Sequence, residues 1–163
     1  MANVFYAWRW GDWRNWKKYQ STTLYLITCD LLYNFLCYNY PLWEYNPKIF
    51  NLNHTLLNLI VMFIGYPAFI LVYLGRFPSG RIKQILWFSF WVIYWSFFEW
   101  VYLHQQEFSY HNGWKFVWSV VLNLGIYSMI PLHYKKPLFT YALSIIVSMG
   151  LLIIFKVPVT KMR

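Results

Sequence analysis

The run TTLYLITCDLLYNFLCY, residues 22–38, reads as a membrane-crossing helix except for one carboxylate at its middle, Asp30. A charge at a bilayer centre costs at least about 2.5 kcal/mol on insertion scales, so such a group must be neutralised, paired or used. Spacing shows how this one is accommodated. Thr23, Ile27, Asp30, Asn34 and Cys37 recur at intervals of three and four and therefore share one helix face. A polar face on a lipid-soluble helix has to turn toward other helices.

The rest of the chain supplies those helices. With 60% of 163 residues hydrophobic, 25% aromatic and 12% charged, there is too little polar surface to coat a water-soluble globule. Five apolar stretches, about 22–40, 55–75, 85–104, 114–132 and 138–155, approach the roughly 20 residues a helix needs to cross the hydrocarbon core. The expectation is an all-α protein: an integral membrane five-helix bundle, one transmembrane domain over 1–163, joined by short connections. Gly65 and Pro67 in the second stretch predict a kink near Phe63, whose carbonyl loses its donor. No cleavable signal stands at the start, so the first span is expected to serve as its own targeting signal.

Residues 1–20 carry a different pattern. In WRWGDWRNWKKY, Trp8, Trp10, Trp13 and Trp16 interleave with Arg14, Lys17 and Lys18. Single-strand nucleic-acid binders combine rings and cations in this way. The segment abuts a span, however, and indoles favour the headgroup layer, so these residues are read as membrane-interface anchors on anionic lipid, with no nucleic-acid partner. Arg9, Arg14, Lys17, Lys18, Arg76, Arg81, Lys83, Lys135 and Lys136 fall on one side of a five-span topology. Lys48, Lys115, Lys156, Lys161 and Arg163 fall on the other. That imbalance places the amino terminus in the cytoplasm and the carboxyl terminus outside. His133, beside Lys135 and Lys136, is expected to touch lipid headgroups.

Polar stripes recur along the other spans: Ser89, Ser96 and Glu99; Ser119, Asn123 and Tyr127; Thr140, Ser144 and Ser148. Asp30, Asn34, Asn58, Glu99 and Asn123 are the candidate polar core, with Asp30 about 13 Å deep from the basic end. They form either neutral, hydrogen-bonded structural links or a proton or cation path. Cys29 and Cys37 lie too far apart along a helix to bridge and match no metal spacing. If the third helix continues past its span, His104, Glu107 and His111 share a face, with His54 and Glu44 contributed by the preceding outer loop. That is a weak metal pattern lacking a helical HExxH, so no metal or cofactor is assigned. The sequon Asn53-His54-Thr55 is read as a chance match, and no nucleophile elbow or phosphate loop is present.

Three stretches, WGDWRNWKKYQSTTLYLITCDLLYNFLCYNYPLWEY, LNHTLLNLIVMF and NGWKFVWS, carry a family likeness. In them the chain resembles an uncharacterised group of small multi-pass membrane proteins of endospore-forming Gram-positive bacteria. The most specific part runs from Trp10 to Tyr45 and includes Asp12, Trp13, Arg14, Asp30, Asn34, Pro41, Trp43 and Glu44. The resemblance implies a bacterial plasma or spore membrane and a multi-helix fold, and brings no catalytic residues, substrate or cofactor. The leading functional expectation is a noncatalytic membrane component assembling with itself or an integral partner. The alternatives are a small carrier or pore for protons, cations or small solutes, and an intramembrane lipid-modifying enzyme using the outer acids and histidines.

Overall fold

The computed structural model of the chain describes residues 2–46, 53–158, 160 and 162. Lys48, Lys161 and Arg163, counted above for orientation, lie outside them. Among the described residues six α-helices are formed: α1 (Ala2–Trp10), α2 (Trp16–Leu36), α3 (His54–Tyr73), α4 (Arg81–His104), α5 (Phe116–Lys135) and α6 (Pro137–Ile154). Two short strands, β1 (Trp43–Tyr45) and β2 (Phe108–Tyr110), pair antiparallel with Trp43 opposite Tyr110 and Tyr45 opposite Phe108. The chain is mostly helical, as expected, and this unexpected ribbon joins the two connections at one end of the bundle.

Three helices, α3, α5 and α6, are long and apolar enough to cross a membrane, against the five expected. The difference is chemical rather than geometric. Helices α2 and α4 are as long, but their Tyr, Trp, Ser and ionisable residues lower mean hydropathy. The apolar faces lie outward: Ile82, Ile85, Ile93 and Phe97 on α4, and Leu138, Ile145, Met149 and Ile153 on α6, are each more than half exposed.

Inside, aromatic packing dominates. Phe69, Tyr73, Trp91 and Tyr127 meet edge to face or tilted at centroid separations of 5.0–6.2 Å, linking α3, α4 and α5. Tyr73 donates its hydroxyl to the Tyr127 carbonyl at 2.8 Å, so its phenol proton is met. A second cluster at the ribbon end gathers Cys37, Leu42, Trp114, Phe155 and Val157.

Helix α3 shows how Pro67 is accommodated. Its ring removes the donor for the Phe63 carbonyl, and the helix widens into a π turn over Val61–Gly65, where the Tyr66 amide reaches the Val61 carbonyl. The expected irregularity therefore takes the form of a π turn around Phe63.

The interfacial segment expected over residues 1–20 is not one element. Helix α1 stops before Gly11, and the chain then crosses the end of α3, with the Asp12 amide donating to the Leu71 carbonyl at 3.1 Å. Helix α1 packs along the second half of α3, burying Ala7 completely. Gly75 permits that crossing, because a Cβ there would stand 2.3 Å from the Leu71 oxygen and 2.7 Å from the Asp12 Cβ.

Candidate functional site

Asp30 faces α3. Its Oδ2 accepts from the Tyr66 hydroxyl at 2.6 Å and its Oδ1 from Asn34 Nδ2 at 2.9 Å, and the buried Asn58 lies close enough to act on the carboxylate. Each partner is placed by helix geometry. Asn34 is one turn along from Asp30 on the same face, while Tyr66 opens the segment after the π turn and leans back toward the start of α3, as helical side chains do. The widened turn thus aims the one phenol that closes the site.

The network continues to the ribbon. The Tyr45 amide donates to His54 Nδ1 at 3.0 Å, so Nδ1 is the bare nitrogen and Nε2 carries the proton. Nε2 points at Asn34 Oδ1 at 3.4 Å. A directional chain therefore runs from β1 through His54 and Asn34 to Asp30. Its origin on α3 is fixed by Asn53, whose side chain caps the helix by accepting from the Leu56 amide at 2.8 Å. The sequon is therefore also a helix N-cap.

Glu99 occupies a separate, parallel arrangement on α4. Its Oε1 accepts from Tyr110 of β2 at 2.7 Å. Ser119 of α5 donates to that phenol oxygen at 3.2 Å, and Trp114 Nε1 donates to Ser119 at 2.8 Å. One turn away, Asn123 donates to Ser96 at 3.3 Å, a second rung between α4 and α5. Asp30, Asn34 and Asn58 thus come together, whereas Glu99 and Asn123 belong to the other side of the bundle. Tyr45 stands within electrostatic reach of both carboxyl groups, and each network ends on the same ribbon.

No family model, curated protein or solved structure matches the chain. The site therefore rests on geometry alone.

The suggested metal face dissolves. Helix α4 ends at His104, and the chain turns through Gln106 at φ +57° into β2, so His104, Glu107 and His111 never share a helix. His104 Nδ1 turns back to the Trp100 carbonyl at 2.8 Å, while His111 Nε2 faces Glu44 at 3.3 Å and Ser109 at 2.9 Å. Among the described residues no group of three His, Cys, Asp or Glu side chains could hold a metal ion.

At the opposite end, Trp8, Trp10, Trp13 and Trp16 are exposed, as are Arg14, Lys17 and Lys18. Asp12 sits among them with its carboxylate held below the usual range, chiefly by the Tyr19 hydroxyl at 2.7 Å and also by Asn15 at 3.0 Å. His133 corrects the expectation of a headgroup contact. It is 1% exposed, stacks on Tyr25 at 4.2 Å and meets Thr22 Oγ1 at 3.1 Å. Its Nε2 has no partner. Sequence reasoning placed His133 at the headgroups and did not identify Tyr66 and Tyr110 as the tyrosines that engage Asp30 and Glu99, because a tyrosine in a greasy run looks like apolar filling.

Proposed function

We propose that the chain is a multi-pass integral membrane component without catalytic chemistry of its own, which assembles with a second copy or another integral membrane protein. Helices α2 and α4, about 31 and 36 Å long, cross beside α3, α5 and α6 to give five spans. Asp30 and Glu99 and the α2 tyrosines Tyr19, Tyr25 and Tyr33 are hydrogen-bonded within the bundle, which lowers the cost that low mean hydropathy implies. The basic end faces the cytoplasm of a bacterial cell and the ribbon faces outward.

One observation carries this reading: the two internal acids are engaged by tyrosine hydroxyls from other elements, Tyr66 on Asp30 and Tyr110 on Glu99. Groups tied in this way act as links between helices and ribbon. Helix α6, of which 6% is buried, presents the surface for assembly. Purification in mild detergent tests it, with Ser148→Cys on α6 as a crosslinking site in a background lacking Cys29 and Cys37. A defined oligomer or a stoichiometric integral partner is expected; a solitary monomer that crosslinks to nothing in native membranes refutes it.

The directional chain from Tyr45 through His54 and Asn34 to Asp30 favours a second reading, a proton or cation route. In reconstituted vesicles that reading requires a flux which Asp30→Asn abolishes while the protein stays folded.

A further inference from the structure

Helices α3 and α4 meet at the basic end around a rigid aromatic ridge. Trp87 donates its indole N–H to the Tyr73 carbonyl at 3.1 Å, satisfying one of the carbonyls left over where α3 ends, and Phe90 stacks on it at 6.2 Å. A shallow, open apolar groove adjoins this ridge on each side. One, of about 430 Å³, is bounded by Pro78, Lys83 and Leu86; the other, of about 360 Å³, by Trp10, Val72, Arg76 and Tyr94. Trp87 and Phe90 wall both. Each groove is otherwise almost wholly apolar and carries one cation.

Among the described residues those cations have no carboxylate partner. Arg76 gives its Nε proton to the Trp10 carbonyl at 3.2 Å, which orients the guanidinium and leaves its terminal N–H groups available. The ion pair found among the described residues, His111 with Glu44, lies at the ribbon end. Of the five acids in the chain, Asp12 alone belongs to the basic end, and its carboxylate is engaged by Tyr19 and Asn15. Nine Lys and Arg residues there face one acid that is already occupied.

We infer that the Trp87–Phe90 ridge is a specific seat for one anionic diacyl phospholipid, its two acyl chains straddling the ridge and its phosphate held between Arg76 and Lys83. Two apolar grooves on either side of a shared wall match two chains, and a cation at each groove matches the negative headgroup. Helix α1 completes the seat, since Trp10 walls one groove and supplies the carbonyl that orients Arg76. This inference rests on the membrane reading above.

Native mass spectrometry of the detergent-solubilised full chain tests it, with dioleoyl phosphatidylglycerol, dioleoyl phosphatidylcholine and inorganic phosphate as probes. One phosphatidylglycerol is expected to be retained in preference to phosphatidylcholine. Arg76→Gln or Lys83→Gln should each weaken it about fivefold, and the pair about thirtyfold, as expected for about 1 kcal/mol per cation at a membrane surface. Lys136→Gln, at the same end but away from the ridge, should change retention less than twofold, and circular dichroism checks that every variant stays folded. Equal retention of the two lipids, an equal loss with Lys136→Gln, or displacement by millimolar phosphate would overturn the seat. A chain that is soluble and monodisperse without detergent would instead overturn the membrane reading beneath it.

Discussion

Removing the Tyr66 hydroxyl by Tyr66→Phe changes one atom and leaves the ring in place. The bond it breaks is short, 2.6 Å, and its acceptor is ionisable, a class worth about 1.5–3 kcal/mol in water-soluble proteins. In membrane proteins the unfolded segment finds substitute partners, and cycles there average about 0.6 kcal/mol with an upper value near 1.7. The short distance places the expected cost near the top of that range, about 1–1.5 kcal/mol. Asp30→Ala should cost more, about 2 kcal/mol, because it strands the Tyr66 hydroxyl and takes one of the two acceptors of the Asn34 amide, which keeps the residue-30 carbonyl at 2.8 Å. With the acceptor already gone, adding Tyr66→Phe to Asp30→Ala should cost little further. Unfolding in mixed micelles, followed by circular dichroism, would then give a coupling of about 1 kcal/mol. Additivity within about 0.3 kcal/mol would show that the two side chains do not interact, and the clasp between α2 and α3 would be refuted.

Three further outcomes follow from other contacts. Tyr110→Phe takes the donor from Glu99 and the acceptor from Ser119, so hydrogen exchange at the His111 amide, bonded to the Leu42 carbonyl at 2.9 Å, should quicken about tenfold while α3 amides stay unchanged. Gly75→Ala forces a Cβ into the Leu71 oxygen and the Asp12 Cβ, so it should destabilise the chain by about 1–3 kcal/mol and release α1, read as faster exchange or proteolysis before residue 12. The Asp12 carboxyl titrates below its ordinary value of 3.8 when folded, so its contribution is present above that pH and is lost as pH falls through the folded value. Protection of the Asp12 amide should accordingly drop between about pH 4 and 2 in the native chain and show no such step in Asp12→Asn.

Long apolar runs made most helices legible. The stretches read at 55–75, 114–132 and 138–155 correspond to His54–Tyr73, Phe116–Lys135 and Pro137–Ile154, because uninterrupted hydrophobicity over about 20 residues leaves few other options. Helix α2 was shifted, starting at Trp16 and ending at Leu36, since Tyr38 and Tyr40 extend the greasy pattern without extending the helix. The ribbon was not legible. Its strands hold three residues each and pair across more than sixty positions, where no local periodicity reports a partner. Proline and glycine around WEY and FSY, together with their β-forming aromatics, were the available signals.

The site was legible in half. Asp30 and Asn34 came from helical spacing and the cost of an acid within a span, Asn58 from its depth along the second span, and the three lie together. Tyr66 did not come from spacing, because it follows the π turn at Val61–Gly65, which shifts side chains from the positions that ideal helical spacing gives. His104, Glu107 and His111 were grouped by extending a helix that instead ends at His104.

Carbodiimide labelling of the chain in lipid vesicles tests the central claim most directly, comparing a water-soluble with a hydrophobic reagent and reading each acid by peptide mass spectrometry. Half-buried and each held by a tyrosine hydroxyl, Asp30 and Glu99 are expected to react at least about tenfold more slowly with both reagents than Glu44, whose side chain is 38% exposed and has no tyrosine donor among the described residues. Asp30 reacting as fast as Glu44 with the water-soluble reagent, or preferentially with the hydrophobic one, would contradict the account by showing that it opens to water or to acyl chains.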